Sequence, residues 1–373
     1  MERIIRIIIK KCLYSGRKFL EMLKNIKKLR HIKKYVYAES FYPEKPHKKH
    51  SQILWEQIRH YFKYGDVNEQ YFEYGIDVKG IKDDDFLDDF SLKRRIIEAN
   101  HGSMDYCCTV IDKNLFSIIG NYYGFPIWDS IGFLNNGHVI DKKDNIYDID
   151  EIVKNFKNLF FKPITGGGGK DTYKIQYNEG AYYINNKEMP IENIVETLSR
   201  ISYSGNSYLC QRLFMQHHLI SKLYDKSVNT LRIVTINPQK SENIDDVVVL
   251  ACILRIGANG LSVDNHGQGG LQISVDSMGK LAQYAFYKPG FGTKIEQHPD
   301  SGIAFKDYQI PFYNESIELC KTFHTKLNHI HYIGWDVAFS ENGIYLFEAN
   351  SKSATKLQTF LGPLRQQYAK WLP

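Results

Sequence analysis

The sequence predicts an α+β fold in which two lobes with antiparallel sheets follow a mainly helical N-terminal region. Three observations carry this. From residue 159 the chain runs through short segments rich in β-branched and aromatic residues, "NLFFKP", "DTYKIQY", "AYYINN", "SYLCQRLF", "TLRIVTI", "DVVVLACILRIG", "GLQISVD" and "AQYAFY", with Gly, Asn and Pro between them. Helical patterns interleave only at about 191–202 ("IENIVETLSRIS") and 314–329 ("NESIELCKTFHTKLNH"). Strands in hairpin succession favour antiparallel sheets over a doubly wound one. Ahead of them, residues 41 to 110 read as helical and irregular. "SQILWEQIRHYFKYG" (51–65) and "SLKRRIIEAN" (91–100) are the expected helices there, the second with Ser91 as its N-cap. The expected order is a basic amphipathic segment over 1–40, a helical region over 41–110, a first lobe over 111–209 and a second over 210–373.

Composition bounds what the chain can be. Its 373 residues are 43% hydrophobic and 14% aromatic, enough for a large core and unlike a disordered chain. Six cysteines without a C-x-x-C pair supply neither a zinc site nor a disulfide framework, which favours a reducing compartment, the cytosol. The net charge of +6 is concentrated at the start, where residues 1 to 34 hold twelve Lys/Arg against two Glu. The remainder, with 36 basic and 40 acidic residues, is acidic and carries no nucleic-acid motif, so nucleic acid is not an expected partner.

In that basic segment Ile5, Ile9 and Leu13, then Phe19, Leu20, Leu23 and Ile26, recur at helical spacing. Arg3, Arg6, Lys10 and Lys11 interrupt the apolar run, which is neither a membrane span nor a secretory signal. Two readings stand: a helix lying on an anionic membrane or a partner, peripheral on the inner face of the cell membrane, or a helix packed on its own domain. The acidic run Asp83 to Asp89 lacks the regular calcium-loop spacing and reads as a solvated cap.

Two stretches carry chemistry. In "FFKPITGGGGKD" (160–171) four glycines lie between two expected strands, where bare amides can close over an anion. Gly169-Lys170 is followed by Asp171, so this is not a Walker A loop, and no G-x-G-x-x-G occurs; a plain hairpin loop remains the alternative. In "YIGWDVAFSENGIYLFEANSKS" (332–353) two strands flank Glu341-Asn342-Gly343, and Glu348 and Asn350, two apart, share a face. A three-residue loop with Gly343 left-handed sets Ser340 opposite Ile344 and Asp336 opposite Glu348; a two-residue loop would turn Asp336 away. The first register gathers two carboxylates and an amide, the oxygen set a hard cation bridging phosphates requires.

Together these motifs resemble the ATP-grasp superfamily, and within it most closely the sugar-transfer-associated ATP-grasp proteins of polysaccharide biosynthesis, over about residues 112 to 359. The resemblance implies two α+β lobes clasping ATP. "IDKNLFSIIGNYYGFP" (111–126) resembles the segment whose lysine, here Lys113, reaches the phosphates. "FFKP" supplies Lys162 near the α-phosphate, and Gly166, Gly167, Gly168 and Gly169 form the flap. "YLCQRLF" (208–214) resembles the hinge, with Gln211 at adenine. "SVNTLRIVTI" (227–236) implies Arg232 at the γ-phosphate as the catalytic residue, with Asn229 on the substrate side, where "NHGQGG" adds His266, Gly269 and Gly270. Asp336, Glu348 and Asn350 match the ligands of Mg2+. The implied activity is a ligase that activates a carboxylate with ATP and passes it to an amine, in our reading joining an amino acid to a uronic acid or another carboxylate of a cell-surface glycan precursor. A kinase of a sugar or lipid hydroxyl on the same fold, and a non-catalytic membrane-associated scaffold, are the alternatives. The expected N-terminal α/β domain of the superfamily is not traceable through residues 1 to 100.

Overall fold

The computed structural model describes residue 16 and residues 19–87, 96–97, 99–100, 105–128, 130–166, 171–203, 207–351 and 357–364. The chain divides into two compact units: Met1–Ala99 with Phe286–Lys294 and Ala354–Pro373, and Asn100–Ala285 with Ile295–Ser353. The expected N-cap Ser91 and most of the helix following it lie outside the described residues, as do Gly167, Gly168 and Gly169.

Among its described residues the first unit is helical and irregular, without a sheet of its own. Its longest helix with assigned ends, His50–Tyr64, buries Ile53, Gln57, His60, Tyr61 and Tyr64, and stops at left-handed Gly65, whose N–H donates to Tyr61. A core of Val36, Phe41, Ile53, Tyr71, Phe72, Tyr74, Ile76 and Phe86 forms beside it. Gln57 acts as a strand substitute, accepting from the backbone N–H of Asn68 and donating to its carbonyl. In the acidic run Asp83 meets His60 and Asn68, and Asp84 meets Arg59 and Lys63, so these carboxylates serve as ion-paired tethers.

The second unit holds two antiparallel sheets. The first comprises β1 (Ser130–Asn135), β2 (His138–Asp141), β3 (Ile146–Asp148), β4 (Asn158–Pro163), β5 (Tyr173–Asn178), β6 (Ala181–Ile184), β7 (Lys187–Glu188) and β8 (Tyr208–Arg212), in the order β3-β2-β1-β8-β4-β5-β6-β7. The second comprises β9 (Thr230–Ile236), β10 (Val248–Ile256), β11 (Leu271–Val275), β12 (Leu281–Phe286), β13 (Lys294–Ile295), β14 (Tyr332–Ser340) and β15 (Gly343–Asn350), in the order β13-β12-β11-β10-β9-β14-β15. Strand β8 therefore belongs to the first sheet through Arg212. The meander β1-β2-β3 lies upstream of the strand-rich texture noted above. Its signal is local: Asn136 and Gly137, both at positive φ, form the two-residue turn of the β1-β2 hairpin that sets Asn135 opposite His138.

Period-two alternation decides which side chains reach a ligand. Along β4, Leu159 and Phe161 enter a core with Ile152, Val153, Ile194 and Leu198 of the helices Ile149–Phe156 and Ile191–Tyr203. Phe160 and Lys162 consequently face the opposite side. On β8, Tyr208 and Cys210 take the core face and leave Gln211 to the other.

Strands β14 and β15 meet by a route that differs from the expected one. Glu341 and Asn342 alone make the turn, Ser340 faces Gly343, and Phe339 faces Ile344. A bulge between Asp336 and Val337 then absorbs one residue of β15 and sets Asp336 opposite Glu348. The loop is thus shorter than expected, and the bulge restores the carboxylate pairing that this loop alone would have undone.

Candidate active site

A cavity of about 910 Å³ is lined from both sheets of the second unit. Lys113, Lys162, Arg255 and Glu348 contribute to its wall, and so do Trp128, Phe160, Phe214 and Phe347. Charge and aromatic surface are therefore present in a single cleft.

The lysines reach it from separate elements. Asp112 caps the helix Lys113–Tyr122 by accepting from the N–H groups of Asn114 and Leu115, and the backbone N–H of Lys113 donates to Ile164 beyond β4. This fixes the Lys113 ammonium 2.9 Å from the carbonyl of Gly166 and 3.8 Å from Glu348. Lys162, 9% exposed, stands over the Phe347 ring at 5.8 Å. Burial pulls its pKa down to about 8, with the charge of Glu348 opposing and that of Lys113 assisting.

From the wall residues Arg255 and Asp264 a network of buried charge extends to Arg232 and Asp336. Arg232 on β9 and Asp336 on β14 are directly opposed, and Arg232 grips the carboxylate through two parallel bonds, Nε to Oδ1 at 2.5 Å and Nη2 to Oδ2 at 2.9 Å. Arg255 on β10 adds Nη1 to the same Oδ2 at 3.0 Å and spends Nη2 on Asp264 at 2.9 Å. Asp264 accepts in turn from the hydroxyl and N–H of Thr230. Burial works to raise the pKa of Asp336, yet Arg232 and then Arg255 outweigh it and hold the carboxyl well below the usual range. Glu348 moves the other way, raised by burial and by the charge of Asp336 while Lys113 and Lys162 oppose. Asn350 donates to its Oε1 at 3.3 Å.

This donor set fits a hard cation. Two carboxylates and the amide side chain of Asn350 are brought together, and Oδ1 of Asp336 accepts from one arginine nitrogen where Oδ2 accepts from two, which leaves Oδ1 with lone-pair capacity.

Several expected residues occupy different positions. Arg232, bound to Asp336, is not among the residues lining the cavity, whereas Arg255 and Arg212 are. Gln211 lines the cavity but commits its amide N–H to the Trp128 carbonyl at 2.7 Å. Asn229 is fully buried: it donates to Tyr224, accepts from Ser227 and from the N–H of Gly257, and so closes the 224–229 loop rather than meeting a substrate. In the following loop Asn265 and Gln268 line the cavity, while His266 is buried. Gly269 sits at φ 103°, and a Cβ on Gly270 would come within 2.8 Å of the Asp264 carbonyl, so both serve the chain path.

Residues the motif reading passed over are Arg255, Asp264 and Trp128. Arg255 had a signal, being the one charged residue within "VVVLACILRIG". Trp128 lies edge-on to Phe214 at 5.0 Å and to Tyr345 at 5.4 Å, and near-parallel to Phe347 at 6.3 Å. It donates Nε1–H to the Arg212 carbonyl. Nothing in its local sequence announces this, because its partners come from β15 and the segment after β8.

A family model described as sugar-transfer associated ATP-grasp matches residues 97–362. No curated protein matches the chain. Among solved structures, the ATP-grasp ligase PsnB complexed with minimal precursor, Mg and ADP is 14% identical, with 68% of this chain and 53% of that one covered at a TM-score of 0.32. The D-cycloserine synthetase DcsG is 10% identical, with 67% and 65% covered at 0.36. D-alanine–D-alanine ligase from Bacillus anthracis is 14% identical, with 70% and 62% covered at 0.36. The matches thus span less than two thirds of each of these chains.

Two measurements check the geometry. Asn229→Ala leaves buried partners of Ser227 and Gly257 unmet, so urea unfolding is expected to show a loss of about 1–3 kcal/mol. Ser262→Ala, on the cavity wall, is expected within about 0.5 kcal/mol of the unaltered chain. An unchanged unfolding curve for Asn229→Ala would return that side chain to ligand duty. Separately, Lys162 is charged below about pH 8 and loses its proton as the pH rises past that value. Affinity for a phosphate-bearing ligand, by calorimetry, is therefore expected to fall above pH 8, and Lys162→Arg is expected to flatten that fall. A profile identical in both proteins would remove Lys162 from the contact.

Proposed function

The chain belongs to the sugar-transfer associated ATP-grasp family, and from that premise we propose that it is an ATP- and magnesium-dependent ligase joining a carboxylate to an amine through an acyl phosphate. The observation that carries this reading is the meeting of Lys113, Lys162, Arg255 and Glu348 on the wall of one cavity that also offers an aromatic surface. ATP offers a counterpart to both, a polyanion and a flat heteroaromatic base.

In this reading the purine lies along the surface of Trp128, Phe214 and Phe347, with Gln211 beside it. Lys162 and Lys113 meet the phosphates, where a cation in a water-poor cleft is worth more than on a surface. The glycine run from Gly166, of which only Gly166 is among the described residues, is proposed as the flap over the same charge. Asp336, Glu348 and Asn350 would hold magnesium, which when bound screens the phosphates and orients the terminal phosphoryl.

A carboxylate oxygen of the acceptor forms a bond to the γ-phosphorus while the bond from that phosphorus to the β–γ bridging oxygen breaks, releasing ADP. The amine then attacks the acyl carbon, loses a proton, and displaces inorganic phosphate as the C–O bond breaks. Arg255, on the wall, is the side chain we assign to the charge of the transferring phosphoryl and of the tetrahedral oxyanion. Arg232 is the positioning residue that aims Asp336. We assign the acceptor to a uronic acid or other carboxylate in a cell-surface polysaccharide precursor, the donor amine to an amino acid, and the compartment to the cytosol. The family's sugar-transfer association supports the sugar part of that assignment.

Hydroxylamine tests the intermediate. With ATP, magnesium and a screen of uronic acids, a hydroxamate is expected for the true acceptor, and heavy oxygen in that carboxylate is expected to leave with phosphate. Glu348→Gln and Arg255→Ala are each expected to suppress hydroxamate at least about a hundredfold. A stable phosphate ester on an acceptor hydroxyl, with neither hydroxamate nor oxygen transfer, would make the protein a kinase.

A further inference from the structure

The helix over residues 19–30 faces the opposite way from a helix packed by its apolar stripe. Successive residues turn by about 100°, so Phe19, Leu23 and Ile26 share one face with Leu20 on its flank, and Met22, Asn25 and Leu29 share the other. It is the second face that attaches the helix to the first unit. Asn25 is 7% exposed and donates to the Gly65 carbonyl at 3.2 Å, Tyr61 donates its hydroxyl proton to the Met22 carbonyl, and Lys28 pairs with Asp66 at 2.7 Å and Glu69 at 3.1 Å. The apolar face is left outward, with Phe19 59%, Leu20 65%, Leu23 52% and Ile26 41% exposed.

Basic residues surround that stripe. Lys24, Lys27 and Arg30 are exposed on the same helix, Lys33 and Lys34 are exposed just beyond it, and Glu21 is the one acidic residue of 19–34. We propose that this face docks on an anionic lipid bilayer, with Phe19, Leu20, Leu23 and Ile26 entering the boundary between headgroups and acyl chains and the lysines and arginine meeting lipid phosphates.

The chemistry separates this occupant from others. A nucleic-acid backbone satisfies the cations but gives four outward apolar side chains nothing to bury against. A second copy meeting the first across a two-fold axis brings the same basic helix against itself, and like charge opposes that contact. A bilayer with anionic headgroups satisfies both halves of the face. No described helix is long and apolar enough to cross a membrane, and the surface orientation requires none. This inference is independent of the reaction proposed above.

Flotation of the full chain with vesicles tests it. The chain is expected to float with vesicles of equal parts phosphatidylglycerol and phosphatidylcholine, far less with phosphatidylcholine alone, and less with the anionic vesicles as salt rises. Leu20→Asp combined with Leu23→Asp is expected to lower the anionic-vesicle partition at least about tenfold, and Lys27→Glu combined with Arg30→Glu to lower it similarly while abolishing the salt dependence. All four positions are exposed, so both variants are expected to melt as the unaltered chain does. Undiminished flotation of the Leu20/Leu23 variant would overturn the proposal. Equal partition onto the two vesicle types would do the same, as would a dimer in the unaltered chain that the variant converts to monomer.

Discussion

Everything in the cleft depends on the burial of one carboxylate. Asp336 is 2% exposed, on a strand buried along its whole length, and an isolated charge there would be protonated or would unfold its surroundings. Arg232 and Arg255 prevent this by reaching from β9 and β10, so the ion pairs also fix the lateral order β10-β9-β14 at the site. Asp264 completes the set by holding the second guanidinium nitrogen of Arg255. Removing one member of such a cluster costs about 3–5 kcal/mol, because the others stay buried and uncompensated. The cluster therefore couples the stability of the second sheet to the placement of its polar side chains.

The bulge on β15 extends that constraint to Glu348. With Asp336 fixed, one residue of slippage in the hairpin would carry Glu348 to the opposite face of the sheet and leave Asn350 with it. Because the bulge prevents this, Glu348 is held near Asp336, Lys113 and Lys162 at once. Its raised pKa and the lowered one of Lys162 are two expressions of the same crowded, poorly hydrated site. In the proposed reaction these charges are matched by those of the nucleotide and magnesium, so the energy stored in their proximity is released on loading rather than carried through the cycle.

Much of this was legible in residue order. The strand segments from Leu159 onward and the approach of Lys113 and Lys162 follow from alternation and motif order, which are local, whereas the pairing of Asp336 with Glu348 was one of two registers the hairpin left open and is reached through a bulge. The β1-β2 hairpin was equally local, and its Asn136-Gly137 turn was there to be read. What the sequence hid was long-range. Which of the two arginines bound to Asp336 lines the cavity depends on contacts across three strands, and a two-residue turn gives no sign of a bulge several residues away. Asn229 was misleading for a related reason: a polar residue beside a motif arginine looks like a ligand contact until its partners, Tyr224 and Gly257, are brought around it by the loop. The N-terminal helix was ambiguous because its periodicity identifies an apolar face without saying whether that face turns in or out.

The most direct test of the central claim, that these oxygens and cations form one metal–nucleotide site, follows manganese as a paramagnetic stand-in for magnesium by water-proton relaxation. Strong enhancement is expected when the chain, manganese and ATP are all present, weak enhancement without ATP, and little in Glu348→Gln even with ATP. Enhancement of equal size with and without ATP, or undiminished in Glu348→Gln, would contradict it.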